Sequence, residues 1–319
     1  MSPPCRSDFC SDRPANHILT KHVLSGPEEK SIAILQYDEY YRRWRKSFQF
    51  ILGPADIKRP LPLLESEAAL RRRRQLPPAA RDKDKFTETE LASVGQAAVG
   101  AAVDTTLATF KNLMVAFAAF PAKLVKAQEE WHRVAGGEPL HGDRIDELVS
   151  LKACVSEVLR WRPTTPQALP HVLTRDEHGT MFIANAWTTH RNEEEYEQPH
   201  DFIPERFLDN TLGLRPSVAT ADRNLENSGR RALYAFGSGR RQCPGEQSAF
   251  TSSGPTTSWS RSGGRFDFSV ETGFKDSTVT APVHPEVTCQ TRSEKKRSGV
   301  VADAQRTQDI ARDLLGLEF

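Results

Sequence analysis

The sequence predicts a mainly α-helical protein with a small β region, which is the α+β class. Helical patterns with clear start and stop signals fill residues 87–162, and a pattern typical of a strand appears only after residue 170. The length of 319 residues is enough for one large or two medium domains. The mean hydropathy of −0.55 is low for a compact enzyme, which indicates that some segments are poorly ordered.

The composition argues against several classes of protein. The 43 basic and 42 acidic side chains nearly cancel, so no long-range field indicates a nucleic-acid partner. The five cysteines are scattered without a CxxC pair, which argues against a disulfide framework or a structural zinc site and fits a reducing compartment. Because no run of about 18 apolar residues occurs, we expect no transmembrane segment in this chain.

Residues 1–86 form an N-terminal region that we predict to be partly disordered. Residues 1–30 lack periodicity and are predicted to be poorly ordered, whereas residues 37–52 have the pattern of a short amphipathic helix that ends at Gly53-Pro54. Residues 63–76 are typical of a charged helix. We interpret its run of four arginines as a solvated helix face rather than a nucleic-acid or localisation patch.

Residues 87–319 form the predicted core domain, which opens with two helices. The pattern Thr87-Glu88-Thr89-Glu90 predicts a capped N-terminus for a long Ala-rich helix that runs to about Phe120. Pro121 lies where a second helix would begin, and Gly136-Gly137 ends that helix.

The rest of the core mixes one more long helix with irregular segments. Asp143 is the predicted N-cap of a helix that ends before Pro163. Residues 181–190 are typical of a strand. Residues 250–265 contain three glycines, a proline and eight Ser or Thr residues, a composition that interrupts a helix, so we expect an irregular segment there.

One stretch of the core carries a cysteine with unusual neighbours. In "YAFGSGRRQCPG", residues 234–245, Cys243 follows a loop of glycines and arginines. A thiolate can hold haem iron, but it must be dry, hydrogen-bonded and deprotonated. Glycines let backbone N–H groups approach the sulfur, and an arginine beside the loop can pair with a haem propionate. A Gly-rich turn with an ordinary core cysteine is the alternative.

This stretch resembles the haem-binding loop of the cytochrome P450 family, the haem-thiolate monooxygenases. Seven residues fall on positions of that family's pattern: Phe236, Gly237, Gly239, Arg241, Cys243, Pro244 and Gly245. The resemblance implies a cytochrome P450-like fold and a haem b cofactor whose iron is bound by the thiolate of Cys243. It also implies that Arg241 binds a haem propionate and that Phe236 and the glycines shape the cofactor-binding loop.

Two further motifs resemble the family in the same order along the chain. "EVLR" supplies Glu157 and Arg160, and "PERF" supplies Arg206. The resemblance implies that these three side chains form a buried ion network. A helical wheel alone favours the opposite for Glu157 and Arg160, an ordinary exposed pair, because their face lies opposite the apolar stripe of the helix.

The long helix contains "AAVDTT", residues 101–106, which is similar to the family's oxygen-activating motif. The resemblance implies that Asp104 and Thr105 are catalytic, Asp104 by feeding a proton relay and Thr105 by hydrogen-bonding to oxygen. The alternative is a small-residue helix that packs tightly, with the hydroxyl of Thr105 bonded back to a carbonyl. The glycine usual in this motif is replaced here by Ala102.

Two weaker similarities complete the predicted cofactor site. His171, in "WRPTTPQALPH", resembles a propionate partner, and residues 164–169 before it resemble a pocket wall. Trp44 resembles a helix tryptophan that bonds the other propionate. A solvent-facing histidine and a plain core tryptophan are the alternatives for these two residues.

The chain also departs from the family pattern, so the resemblance implies an incomplete fold with internal deletions. About thirty polar residues stand where the family has several helices before Thr87. The first strand of a hairpin is missing after Glu177, and residues 250–265 break the helix that the family has after the cysteine.

The resemblance implies a haem-thiolate monooxygenase that inserts one oxygen atom of O2 into a small apolar substrate, and the texture of the motifs is similar to members of fungal secondary metabolism. It implies an NADPH-dependent cytochrome P450 reductase as partner, and a location in the cytoplasm or at the cytosolic face of the endoplasmic reticulum. One alternative is a non-catalytic haem-binding remnant of such an enzyme. Another is a cysteine hydrolase that pairs Cys243 with His171 or His190.

Overall fold

The computed structural model describes seven main stretches of the chain. These are residues 11–14, 32–52, 87–136, 142–174, 179–221, 231–246 and 249–250, followed by 267, 269, 272–275, 278–283, 298 and 305. The expected charged helix at 63–76 lies outside the described residues, and so do residues 251–265 of the expected irregular segment and most of residues 1–30.

The first three helices confirm the boundaries expected from the sequence. Helix α1 is Glu39–Leu52, helix α2 is Glu88–Ala119 and helix α3 is Pro121–Ala135. The hydroxyl of Thr87 accepts from the N–H of Glu90, whose carboxylate accepts from the N–H of Thr87, so both halves of the predicted capping box are present. Gly136 ends α3 with a φ of 62°, a left-handed conformation that glycine adopts without strain.

The fourth helix, α4, is Val149–Trp161 and follows a short 3-10 helix, Gly142–Glu147. The prediction that Asp143 caps α4 was wrong, since Leu148 occupies the N-cap position and makes no side-chain cap. Instead the carboxylate of Glu130, in α3, accepts from the N–H groups of Ser150 and Leu151 at 2.9 and 3.1 Å. A neighbouring helix therefore caps α4, which no local sequence pattern shows.

The β region is a two-stranded antiparallel sheet of β1, His171–Val172, and β2, Met181–Phe182. His171 pairs with Phe182 in its register, and the two rings stack with centroids 5.2 Å apart. The prediction of one strand over residues 181–190 was wrong beyond Phe182. The side chain of Asn185 accepts from the N–H of Thr188 and caps a short helix, α5, Ala186–Thr189.

Short elements complete the described chain. Helix α6 is Arg206–Asp209 and helix α7 is Pro216–Ala221. The cysteine-bearing stretch contains two 3-10 turns, Tyr234–Phe236 and Gly239–Arg241.

Helix α4 lies at the centre of the core, in contact with α2, α3 and α6. Its residues from Glu157 to Trp161 are all buried, so no face of this helix is exposed to solvent at its C-terminal end. Three aromatic rings pack together at the C-terminal end of α4. The centroids of the stacked Phe120 and Phe202 rings are 5.3 Å apart, and the Trp161 ring contacts both. Burial on all sides fixes the position of α4 relative to every element that it contacts.

Residues 11–14 pack on the core, which corrects the prediction of poor order for this part of residues 1–30. Asp12 forms a β-bridge with Val172, and its carboxylate accepts from the N–H of Tyr37. The guanidinium of Arg13 donates to the carbonyls of Leu169 and Pro170 at 2.8 and 2.7 Å. These contacts between distant parts of the chain hold the segment beside β1.

None of the described helices is, by itself, long and apolar enough to cross a membrane. Ser93–Ala119 and Pro121–Ala135 have the length and apolar composition of a membrane-spanning segment only when the two helices are taken together. They are bent relative to each other by 112°.

Candidate functional site

A cavity of about 260 Å³ lies between α1, α2, β1 and the cysteine-bearing loop. It brings together six of the residues predicted for the site: Thr105, His171, Phe236, Gly237, Arg241 and Cys243. Four of the other predicted cofactor or catalytic residues, Asp104, Trp44, Gly239 and Gly245, are not among the residues that line it. The segment after α4 also contributes, as predicted, through Thr164, Thr165, Ala168 and Leu169.

The cysteine-bearing loop is folded back on itself by backbone hydrogen bonds. The N–H of Gly237 donates to the carbonyl of Tyr234 at 2.9 Å, and the N–H of Cys243 donates to the carbonyl of Phe236 at 2.8 Å. Gly237 and Gly239 have φ values of 67° and 64°, which explains why both positions are glycine. The Phe236 ring packs against the core and lies 6.2 Å from the ring of Phe250, so the loop is anchored on its inner side.

The thiol of Cys243 is accessible and lines the cavity. The protein atoms around it nevertheless desolvate the sulfur, and this raises its pKa. A backbone hydrogen bond from Gly245 and the positive charge of Arg45 lower the pKa, but they do not offset the desolvation. A coordinated metal ion would add a positive charge close to the sulfur and so favour the thiolate.

Arg241 is buried at the edge of the cavity and is held by the N-terminal part of the chain. Its Nε donates to the carbonyl of Ser11 at 2.6 Å, and its Nη2 donates to the carbonyl of Leu35 at 2.5 Å. The guanidinium lies over the ring of Tyr41, 3.8 Å from the centroid. The predicted bond from Arg241 to a propionate stays a prediction, and in this structure its donors hold backbone carbonyls.

Helix α2 supplies a wall of small side chains to the cavity, among them Ala101, Thr105 and Thr106. The hydroxyl of Thr105 donates to the carbonyl of Ala101 at 2.5 Å, which is the back-bonded alternative weighed from the sequence. Asp104 is exposed. The catalytic roles of Asp104 and Thr105 stay predictions.

Trp44 is completely buried, in a cluster with Phe48 and Val94 between α1 and α2. This is the plain-core alternative weighed from the sequence, and the propionate role of Trp44 stays a prediction. Its helical neighbours Tyr41 and Arg45 line the cavity instead.

Sequence reasoning missed Arg13, Tyr41 and Arg45, which line the cavity. Arg45 directly follows Trp44, a predicted site residue, so its place in the sequence could have identified it as a candidate. Arg13 reaches the cavity only through long-range packing, and no local pattern marks it.

The Glu157–Arg160–Arg206 network is present and buried. Arg160 donates from Nε and Nη2 to the two carboxylate oxygens of Glu157, at 2.7 and 2.8 Å. The Nε of Arg206 lies 3.2 Å from Glu157 Oε2. Glu157 and Arg160 are completely inaccessible, so the exposed pair favoured by the helical wheel was wrong. The wheel failed because every face of α4 is covered at this end.

The network also binds the backbone of the segment between α5 and α6. Arg160 donates to the carbonyls of His190 and Pro199, both at 2.8 Å, and to that of Asp201 at 3.0 Å. The N–H of Ile203 donates to Glu157 at 2.8 Å. These bonds satisfy the charges that burial would otherwise leave unpaired.

The residues that line the cavity fit an iron porphyrin. Cys243 offers a sulfur ligand, the small side chains of α2 leave space, and Arg13, Arg45 and Arg241 provide positive charge for carboxylates. In the described part of the chain, no cluster of three or more His, Cys, Asp and Glu side chains is arranged to hold a metal ion.

Comparisons with known proteins agree with this geometry. The family model described as Cytochrome P450 matches residues 59–252, which is more than half of the chain. A cytochrome P450 monooxygenase of a Penicillium species is 31% identical over 252 residues, 74% of this chain and 45% of that protein. One of Arthrobotrys oligospora is 36% identical over 171 residues, 50% of this chain and 30% of that protein. The chain thus spans less than half the length of these curated relatives.

Solved structures share the fold. A zebrafish cytochrome P450 with abiraterone superposes with a TM-score of 0.63 over 90% of both chains, at 19% identity. A zebrafish cytochrome P450 with progesterone gives a TM-score of 0.56 over 82% of this chain and 68% of that one, at 20% identity. The predicted α+β, cytochrome P450-like fold is confirmed, and the match of the family model shows that this chain belongs to the cytochrome P450 family.

Proposed function

We propose that this chain is the cysteine-bearing part of a haem-thiolate monooxygenase, with haem b as the cofactor and Cys243 as the iron ligand. One observation carries the proposal: a single cavity is lined by the Cys243 loop, by the small-residue stretch of α2 and by three arginines. Haem supplies the redox chemistry that places one atom of O2 into a substrate, and the protein supplies the site around it.

Each residue of the chain has a limited task in this proposal. Cys243 binds the iron, and the loop bonds at Gly237 and Cys243 hold the sulfur in place. Arg241 and His171, which line the cavity, would bind the propionates, and so would Trp44, which is buried between α1 and α2. Thr105, at the cavity, would hydrogen-bond to oxygen, and Asp104, at the exposed surface of α2, would supply protons from solvent.

The structure argues against the cysteine hydrolase. A nucleophilic cysteine needs a lowered pKa, whereas desolvation by the surrounding protein atoms raises the pKa of the Cys243 thiol, although the side chain is accessible. His190 does not line the cavity, and its Nε2 accepts from the backbone N–H of Tyr234 at 3.0 Å. His171 does line the cavity, but without an activated thiol there is no nucleophile for which it could act as a general base.

We propose a small apolar substrate and a role in fungal secondary metabolism. Apolar side chains such as Leu159, Leu169 and Phe182 line the cavity, and the matched curated relatives named above are fungal monooxygenases. The chemistry requires O2 and electrons, for which we propose an NADPH-dependent cytochrome P450 reductase. Such a partner places the reaction in the cytoplasm or at the cytosolic face of the endoplasmic reticulum.

Turnover by the full chain tests the proposal. The chain is loaded with haem and mixed with a cytochrome P450 reductase, NADPH, O2 and a panel of apolar substrates, and products that contain one added oxygen atom are sought by mass spectrometry. The result expected is an oxygenated product that incorporates label from 18O2. Loaded protein that shows a thiolate-type carbonyl spectrum but forms no product would contradict the monooxygenase proposal.

A second candidate function is haem binding without turnover. It is favoured by the exposure of apolar side chains on α2, where Val103 and Leu107 are 43% and 48% exposed. A monooxygenase needs a substrate pocket closed to water. Val103 and Leu107 are not among the residues that line the cavity, and their exposure leaves a second, apolar face of α2 uncovered in the structure. The same turnover experiment separates the two candidates, since both predict the carbonyl spectrum and only one predicts product.

A further inference from the structure

His190 joins two parts of the molecule that sequence places far apart. Its backbone carbonyl accepts from Nη1 of Arg160 at 2.8 Å, within the buried ion network. Its imidazole Nε2 accepts from the backbone N–H of Tyr234 at 3.0 Å, at the start of the cysteine-bearing loop. The residue is completely buried, so neither bond competes with water.

From Tyr234 the hydrogen bonds continue to the cysteine. The Tyr234 carbonyl accepts from Gly237 at 2.9 Å, and the carbonyl of Phe236 accepts from the N–H of Cys243 at 2.8 Å. Tyr234 opens the 3-10 turn that contains Phe236. One short turn with these two hydrogen bonds therefore connects Tyr234 to Cys243.

The surroundings of the ring fix its protonation. Because Nε2 accepts a hydrogen bond, the neutral ring carries its proton on Nδ1, which lies 3.4 Å from the hydroxyl of Tyr196. Desolvation, with the charges of Arg160 and Arg191, lowers the pKa of His190 to about 3. The ring is thus a neutral acceptor of fixed orientation at neutral pH.

We propose that His190 is a positioning residue for the iron ligand. Through the bond from its Nε2 to the Tyr234 N–H, it sets the cysteine-bearing loop in register with the ion network and so places the sulfur of Cys243. This inference rests on the proposed function, because it assigns His190 a task in iron ligation.

Two substitutions separate the acceptor from the volume of the ring. His190→Phe keeps a ring of similar size but removes the acceptor, and His190→Gln places an amide oxygen near the position of Nε2. The readouts are hydrogen exchange of the Tyr234 amide in the full chain without haem, and the carbonyl spectrum of the reduced, haem-loaded chain.

The result expected for His190→Phe is faster exchange of the Tyr234 amide, by about 10- to 100-fold, since a buried N–H loses its acceptor. The red-shifted Soret band of the carbon monoxide complex, which indicates thiolate ligation, is then expected to be lost and replaced by a band that is not red-shifted. His190→Gln is expected to restore both readouts. Faster exchange with an unchanged carbonyl band would overturn the proposal, because His190 would then be structural only.

A measurement on the unaltered chain covers the case in which His190→Phe does not fold. Nitrogen-15 NMR of the imidazole is expected to show a neutral ring protonated on Nδ1 at pH 7, and a ring protonated on Nε2 would overturn the proposal. An unaltered chain that binds haem without the red-shifted band would instead contradict the function proposed for Cys243. The two failures are therefore distinguishable.

Discussion

The two sides of the cavity differ in how they are held. The side that carries Cys243 rests on α4, whose Glu157 and Arg160 are inaccessible and joined by paired hydrogen bonds. On the other side, α2 lines the cavity with small side chains, and away from the cavity it leaves Val99, Val103 and Leu107 between 37% and 48% accessible. The wall that carries Cys243 is thus closely packed, and its buried charges are hydrogen-bonded. The wall formed by α2 has an apolar surface that is exposed to solvent.

This difference shows where the stability of the fold resides. Exposed apolar side chains contribute little, because the hydrophobic effect depends on the area removed from water. A buried ion network contributes little net energy as a whole but is costly to break, since removal of one partner leaves a charge without compensation. We therefore expect substitutions on the cysteine side to have large effects and those on the exposed face of α2 to have small ones.

The largest effect is expected for Glu157→Gln. Loss of this carboxylate leaves Arg160 and Arg206 buried with uncompensated charge, which we expect to lower the free energy of unfolding by about 3–5 kcal/mol. Urea denaturation measures the change. The control is Glu205→Gln, which removes a partly exposed pair with Lys123, 2.7 Å apart, and should cost at most about 1 kcal/mol. Equal losses in the two variants would contradict the comparison.

A matched pair of leucines in α2 tests the same comparison along one helix. Leu113 is 3% exposed and Leu107 is 48% exposed. Leu113→Ala should lower the free energy of unfolding by about 2–5 kcal/mol, because it leaves a cavity in the core. Leu107→Ala should change it by no more than about 0.5 kcal/mol. If Leu107→Ala costs as much as Leu113→Ala, that face of α2 is buried in solution and the two walls do not differ.

A smaller effect is expected from pH. Burial lowers the pKa of His190 from its ordinary 6.5 to about 3, so below pH 6.5 the unfolded chain binds a proton there that the folded chain does not. Stability from this residue should therefore fall as pH falls, by roughly 1–2 kcal/mol between pH 6.5 and pH 5. Urea denaturation at both pH values, for the natural chain and for His190→Gln, isolates the contribution. A variant with the same pH dependence as the natural chain would show that His190 is not the group responsible.

Local sequence patterns predicted the elements that local interactions determine. The capping box at Thr87 and the glycine after α3 set helix ends through their own backbone and side chains. The loop with Gly237 and Cys243 was predicted from the family resemblance, and the positive φ values of Gly237 and Gly239 explain two of the glycines in that pattern. The ion network was implied by the family resemblance, while the helical wheel gave the wrong exposure.

The failures share one physical cause, which is contact between residues distant in sequence. The N-terminus of α4 is capped by Glu130 across a helix interface, so the nearby Asp143 was a misleading signal. Residues 11–14 appeared featureless, yet Arg13 packs against carbonyls more than 150 residues away. Local patterns contain no information on such contacts.

The ligation of iron by Cys243 is the central claim, and a single spectrum tests it most directly. The full chain is loaded with haem, reduced and exposed to carbon monoxide, next to the variants Cys243→Ala and Cys154→Ala. Cys154 is a suitable control because it is a buried core cysteine whose pKa burial raises to about 12. We predict the red-shifted Soret band for the natural chain and Cys154→Ala and its loss in Cys243→Ala. A red-shifted band that survives in Cys243→Ala would contradict the account.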